Sequence, residues 1–116
     1  MKVLVNISES KKDLVKAGNT TRMFKDVIGE KITMTGAIIY EKDEVNDKTG
    51  EVETKTVCCV RDENGEYIST ISPTVENSLQ LIVASYEPEE IKAGLPIEVK
   101  SKKSNGGRDF IYIDLV

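Results

Sequence analysis

The stretch Arg61–Val83, RDENGEYISTISPTVENSLQLIV, changes its hydrophobic period partway along. Up to Ile71 it alternates as a strand leaving a tight turn. Beyond Ser72, apolar residues Val75, Leu79, Ile82, Val83 and Tyr86 recur at i, i+4, i+7, i+8 and i+11, the one-sided stripe of an amphipathic helix. Ser72 suits the cap, and Pro73 suits the first helical position, where a missing N–H costs nothing. Glu76 favours the helix dipole from the first turn, and Pro88 ends the run. Strand pattern resumes afterwards, so the chain cannot be a plain succession of hairpins. The helix must cover something the strands leave open.

The strands around it fix the order. Lys31–Glu41 places Ile32, Met34, Gly36, Ile38 and Tyr40 on one face, and the internal glycine marks a bulge or sharp bend. A polar turn with Gly50 leads to the β-branched run Val52–Val60, and Asn64-Gly65 is a strong hairpin signal before the returning strand EYISTI. After the helix come LPIEVKS and RDFIYIDLV, joined by the basic loop KKSNGG. Three strands, one helix and two strands is the order of an OB-fold. This predicts an all-β chain with one helix, a five-stranded Greek-key barrel whose helix lies between strands three and four. A sandwich with one helix on an antiparallel sheet shares that order; the bent first strand favours the barrel. Residues 1–116 read as a single OB-fold domain, with 1–30 an N-terminal extension packing on the barrel. Within that extension, KVLVNI suggests an extra edge strand, SESKKDLVKA a short helix ending near Gly18, and TTRMFKDV another strand before Gly29.

Composition narrows the chemistry. With no histidine, the commonest general base and metal ligand are absent. Adjacent Cys58 and Cys59 point to opposite strand faces and lack any zinc or redox spacing, so they read as strand filling. The acidic group Asp43, Glu44, Asp47 and Glu51 matches no calcium loop and reads as solvated surface. No catalytic residues, metal site or cofactor are expected. The N-terminal apolar run is short for a signal peptide and nothing approaches a bilayer span, which predicts a cytoplasmic protein without membrane attachment.

A net charge of −4 argues against a polyanionic partner, but the charge is segregated. Lys11–Lys25 holds five basic residues and one acid; Lys100–Arg108 holds four and none. It is the local potential that a polyanion meets, although chance clustering on a solvated surface produces the same pattern.

Sequence-tolerant binding of single strands needs cations for phosphates and rings on which bases stack. Tyr40 and Tyr67 fall near the rims of the three-stranded meander, where a ring can meet a ligand; barrel filling is the competing role for either. Lys42, Lys55, Arg61, Lys102, Lys103 and Arg108 are the phosphate candidates, with Arg22, Lys25 and Tyr112 as further ones. Phe110 and Tyr112 share a face opposite Ile111, Ile113 and Leu115, so one of the two sets lies outside the barrel.

The run FKDVIGEKITMTGAIIYEKDEV, then GEVETKTVCCVRDENGEYISTIS, PTVENSLQLIV and VKSKKSNGGRDFIYIDLV, resembles the small replication single-stranded-DNA-binding proteins of protein-primed tailed phages of Gram-positive bacteria. The likeness spans roughly Phe24–Val116; the first 23 residues and the loop Asp43–Gly50 depart from it. The resemblance implies an OB-fold protein that coats strands displaced during phage replication, with aromatic DNA contacts at Tyr40 and Tyr67. Phe24 matches a family phenylalanine. Single-stranded DNA, and with it other replication proteins, are the implied partners. The alternative is an OB-like interaction module docking a replication or other phage or host protein.

Overall fold

The structure, a computed structural model, describes residues 2–116. A first strand, β1 (Lys2–Ile7), leads to helix α1 (Lys11–Asn19) and a 3₁₀ turn at Phe24–Val27. Strands β2 (Lys31–Met34), β3 (Gly36–Val45), β4 (Val52–Arg61) and β5 (Tyr67–Thr70) follow. Helices α2 (Pro73–Ser85) and α3 (Pro88–Ala93) separate these from β6 (Leu95–Lys103) and β7 (Asp109–Leu115).

The strands form two antiparallel sheets, ordered β1-β3-β4-β5 and β2-β6-β7. Neither sheet closes on itself, and seven strands stand among the described residues where five were expected. The long strand expected over Lys31–Glu41 is two strands, one in each sheet. Thr35 interrupts it because its N–H donates to the Arg61 carbonyl at 2.8 Å while its hydroxyl donates to the Asp62 carbonyl at 2.8 Å. Next to it, Gly36 is irreplaceable for a steric reason: a Cβ there would sit 2.7 Å from the Ile7 carbonyl oxygen.

The hairpin between β4 and β5 forms where Asn64-Gly65 places it. Gly65 takes φ +80°, and Asp62 Oδ1 accepts the N–H groups of Asn64 and Glu66 at 2.9 and 3.0 Å. Helix α2 buries Val75, Leu79 and Ile82, the stripe read from the sequence. Ser72 occupies its N-cap position, but the hydroxyl pairs with Thr74 Oγ1 at 2.8 Å instead of capping. Pro88 does more than end α2: it opens α3, with Glu89 and Glu90 in the first turn. The one-helix expectation for the barrel therefore needs correction: besides α2 and the short helix expected in the N-terminal extension, the described residues hold α3 and a 3₁₀ turn.

Two apolar clusters sit on opposite faces of the four-stranded sheet. The larger lies between the two sheets and under α2 and α3, and includes Phe24, Met34, Ile39, Cys58, Ile68, Leu79, Ile91 and Ile97. The smaller holds Ala17, Ile38, Tyr40, Val57, Cys59 and Tyr67, with Leu14 packed against it. Cys58 and Cys59, free thiols both, fall into different clusters, as strand alternation requires. Ala17 and Leu14 belong to α1, so this helix is the cover of the second face.

The N-terminal segment reaches that position by a long path. β1 pairs with β3 at one edge of the sheet, and residues 20–23 arrive at β5 on the other edge. There Ser69 N–H donates to the Arg22 carbonyl at 3.0 Å, and Thr20 Oγ1 donates to the Tyr67 carbonyl at 2.7 Å. Between these anchors α1 crosses β3 and β4. The edge strand and the short helix appear where the sequence suggested them. The strand expected at TTRMFKDV is instead a 3₁₀ turn preceded by a single bridge from Met23 to Ser69.

Candidate nucleic-acid interface

Cross-strand register places five of the expected DNA contacts on one face of β3-β4-β5. Tyr40 lies opposite Val57, Lys42 opposite Lys55, and Arg61 opposite Tyr67, all on the side of Ile38 and Cys59. These side chains form one row, but it is closed. Tyr40 is 7% exposed and Tyr67 2%, because α1 lies over both. The expectation that these rings stand open at the rims is corrected: aliphatic and thiol neighbours under a helix take the place of solvent.

The cations of this face are also engaged. Glu44 bridges the opposed lysines, with Lys42 Nζ at 2.8 Å and Lys55 Nζ at 3.5 Å, which relieves a like-charge pair that would otherwise destabilise the ladder. That hydrogen bond holds the Glu44 carboxyl below its ordinary range and the Lys42 ammonium above its own. Arg61 Nε lies 3.8 Å from Asp13 Oδ1 of α1, and its Nη1 donates to Thr35 Oγ1 at 3.4 Å. Arg22 pairs with the buried Asp62 at 2.8 Å.

Asp13 is the clamp of the cover. Its Oδ2 accepts the N–H groups of Glu9 and Ser10 at 3.0 and 2.9 Å, closing the first turn of α1, while Oδ1 faces Arg61. Burial alone would push the carboxyl up. The two backbone donors, with the Arg61 charge, outweigh it and hold the carboxyl below its ordinary value. The fit is incomplete, since among the described residues Arg61 Nε and the Tyr67 hydroxyl are buried without hydrogen-bond partners. Burial, then the Asp13 charge, pushes the Tyr67 phenol up. Both thiols are pushed up to about 12 by burial. Beside the end of α1 an open hollow of about 560 Å³ brings Lys16 and Arg22 next to Tyr67 and Glu66.

The β6–β7 hairpin presents a different surface. Ile97, Val99, Ile111 and Ile113 point into the main core, so Phe110 and Tyr112 are the set that lies outside. Register sets Lys102 opposite Phe110 and Lys100 opposite Tyr112 on that outer face. The two rings are half-buried, with centroids 6.1 Å apart and planes tilted by 44°. Lys100 Nζ pairs with Asp114 at 2.9 Å. Among the described residues, Lys102, Lys103 and Arg108 make no ion pair and are exposed, as is Lys25 on the 3₁₀ turn.

The expected contacts therefore divide into two groups in different sheets. Tyr40, Tyr67, Lys42, Lys55 and Arg61 lie along the face that α1 crosses, with Arg22 at its margin. Lys102, Lys103, Arg108 and Tyr112 lie on the open hairpin. Sequence reasoning set Phe110 beside Tyr112 on a face that could lie outside but did not offer it as a DNA contact, although the alternation of rings in one strand against lysines in its partner carried the signal. It also missed Asp13, whose only mark is being the lone acid in a basic stretch.

Among the described residues no helix is long and apolar enough to cross a membrane, and no group of three or more acidic or cysteine side chains is placed to hold a metal. No curated protein and no solved structure matches the chain. The model of one family, described as Phage Single-stranded DNA-binding protein, matches residues 8–116, from the end of β1 through the open hairpin. With both candidate surfaces inside that match, the chain belongs to the phage single-stranded DNA-binding protein family.

Proposed function

We propose that this protein coats single strands displaced during phage DNA replication without regard to their sequence. The observation that carries the reading is the loop end of the β6–β7 hairpin, where Lys102 and Lys103 at the end of β6 and Arg108 in the loop are exposed and unpaired among the described residues while most other candidate cations are neutralised. Exposed cations of this kind follow a phosphate backbone without reading bases. The OB-fold reading is retained as part of the proposal. Taken together, β2 and β3 are one strand shared between two sheets; with β4, β5, α2, β6 and β7 they keep the expected order, and the N-terminal extension packs on it as part of the same domain. On this reading, catalysis has no role. Base stacking on Tyr40 and Tyr67, with phosphates on Lys42, Lys55 and Arg61, requires α1 to leave its face, and Arg22 and Lys25 would then flank the strand.

Anisotropy of labelled oligo-dT across a salt series tests this. Binding should weaken with salt at a log–log slope of about −0.7 per phosphate neutralised, and removing Lys102, Lys103 and Arg108 together should flatten that slope by about 2. A chain that does not bind oligo-dT at low salt overturns the proposal. A protein-docking role has one supporting observation: β1 is a sheet edge with Val3 and Leu4 exposed, suited to strand addition. Partners captured after nuclease treatment, with no oligo-dT bound, would favour it.

A further inference from the structure

The geometry points to the outer face of β6–β7 as a base-stacking platform in which Phe110 and Tyr112 each receive an unpaired base and Lys100 and Lys102 hold the flanking phosphates. The inference rests on the single-strand-binding reading and gives it a specific surface. Four observations support it.

Two large rings on an outer sheet face join neither apolar cluster, so packing in the core does not account for them. At 6.1 Å and 44° they form a tilted pair, which leaves the face of each ring uncovered by the other. Their separation is also nearly twice the ~3.4 Å rise of stacked nucleotides along a strand. Bases drawn apart in an extended single strand match it; bases stacked in a duplex do not.

The third observation is the register. Lys102 faces Phe110 and Lys100 faces Tyr112, which alternates ring and cation at neighbouring positions of one surface. A single strand presents base and phosphate in the same alternation. The fourth is the gradient of charge. Glu98 and Asp114 stand opposite each other at the end of this face remote from the loop, while Lys102 stands at its loop end with Arg108 just beyond; Lys103 and its cross-strand neighbour Asp109 alternate to the other face. A polyanion would enter from the loop and reach Phe110 first. At Tyr112 it would compete with Asp114 for Lys100, which lies 2.9 Å from that carboxylate. A protein partner would not need the two cations matched ring by ring.

The test uses the full chain with oligo-dT at low salt, read by anisotropy of the labelled oligonucleotide and by intrinsic tyrosine emission. Losing one stacked base should weaken binding roughly 5- to 150-fold, so Phe110→Ala and Tyr112→Ala should each fall in that range. The salt slope should stay as in the wild type, because a ring neutralises no phosphate. Tyr112→Phe keeps the ring and should bind within about threefold of the wild type, yet lose most of the DNA-induced quenching. Tyr40, Tyr67 and Tyr86 would remain to emit, the first two shielded by α1.

Alanine variants that fold and bind like the wild type overturn the platform. So does Tyr112→Phe with undiminished quenching, a variant that decides the matter even where an alanine variant does not fold. Failure of the wild type itself to bind oligo-dT is a different result, which removes the function and the platform together.

Discussion

Two faces of this protein carry the same ingredients, aromatic rings beside cations on adjacent antiparallel strands, and only one of them is open. Under α1, Tyr40 and Tyr67 are buried and their neighbours Arg61, Lys42 and Lys55 are met by Asp13 and Glu44. On β6–β7, Phe110 and Tyr112 are half-buried, and three nearby cations are free of ion pairs among the described residues. Ring-and-cation composition therefore does not mark a binding face by itself. What marks it is whether another element lies across it.

The contrast is sharpest in stability. Tyr67→Ala would empty a fully enclosed site and should cost about 3–5 kcal/mol in urea unfolding. Tyr112→Ala should cost about 1 kcal/mol or less, its main effect falling on DNA affinity. Equal losses at the two positions would erase the distinction between a covered and an open face.

A smaller effect belongs to the clamp. Asp13→Ala removes the acceptor that closes the first turn of α1 and should cost about 1–2 kcal/mol. The acid dependence has a definite sign. A carboxyl held below its ordinary 3.8 in the folded chain adds stability that is fully present above that value and is lost as pH falls through the lower folded value. Melting temperature should therefore drop for the wild type below about pH 4, and this part of the drop should vanish in Asp13→Asn. An unchanged acid limb would mean that Asp13 does not secure the cover.

The smallest prediction runs the other way. Among the described residues the buried Tyr67 hydroxyl has no hydrogen-bond partner, so Tyr67→Phe removes an unpaid desolvation and should be neutral or stabilising by up to about 1 kcal/mol. A clear loss of stability in thermal unfolding would show that the hydroxyl has a partner in solution.

Much of the architecture could be read beforehand, and for identifiable reasons. The Asn64-Gly65 turn and the α2 stripe follow from local rules, a glycine φ of +80° in one case and a 3.6-residue repeat in the other. The split at Thr35 could not be read, because alternation continues across it. The break arises from hydrogen bonds to Arg61 and Asp62, residues 26 and 27 positions away in the chain. α3 was missed because a proline that ends one helix can also start the next, and only the six-residue turn itself distinguishes the two.

The candidate site divides along the same line. From residue types alone came the segregated basic stretches, the rings that share strand faces, and the resemblance now matched by the family. All of these depend on chain neighbours, whose relative placement backbone geometry dictates within a strand or helix. Which face stays open was decided by tertiary structure, since it turns on a helix that leaves one edge of a sheet and is anchored at the other. Ser10–Arg22 carries no mark of that destination. Its cover forms because Ala17 and Leu14 gain apolar partners, and Asp13 a cation, that exist only once β3, β4 and β5 lie side by side.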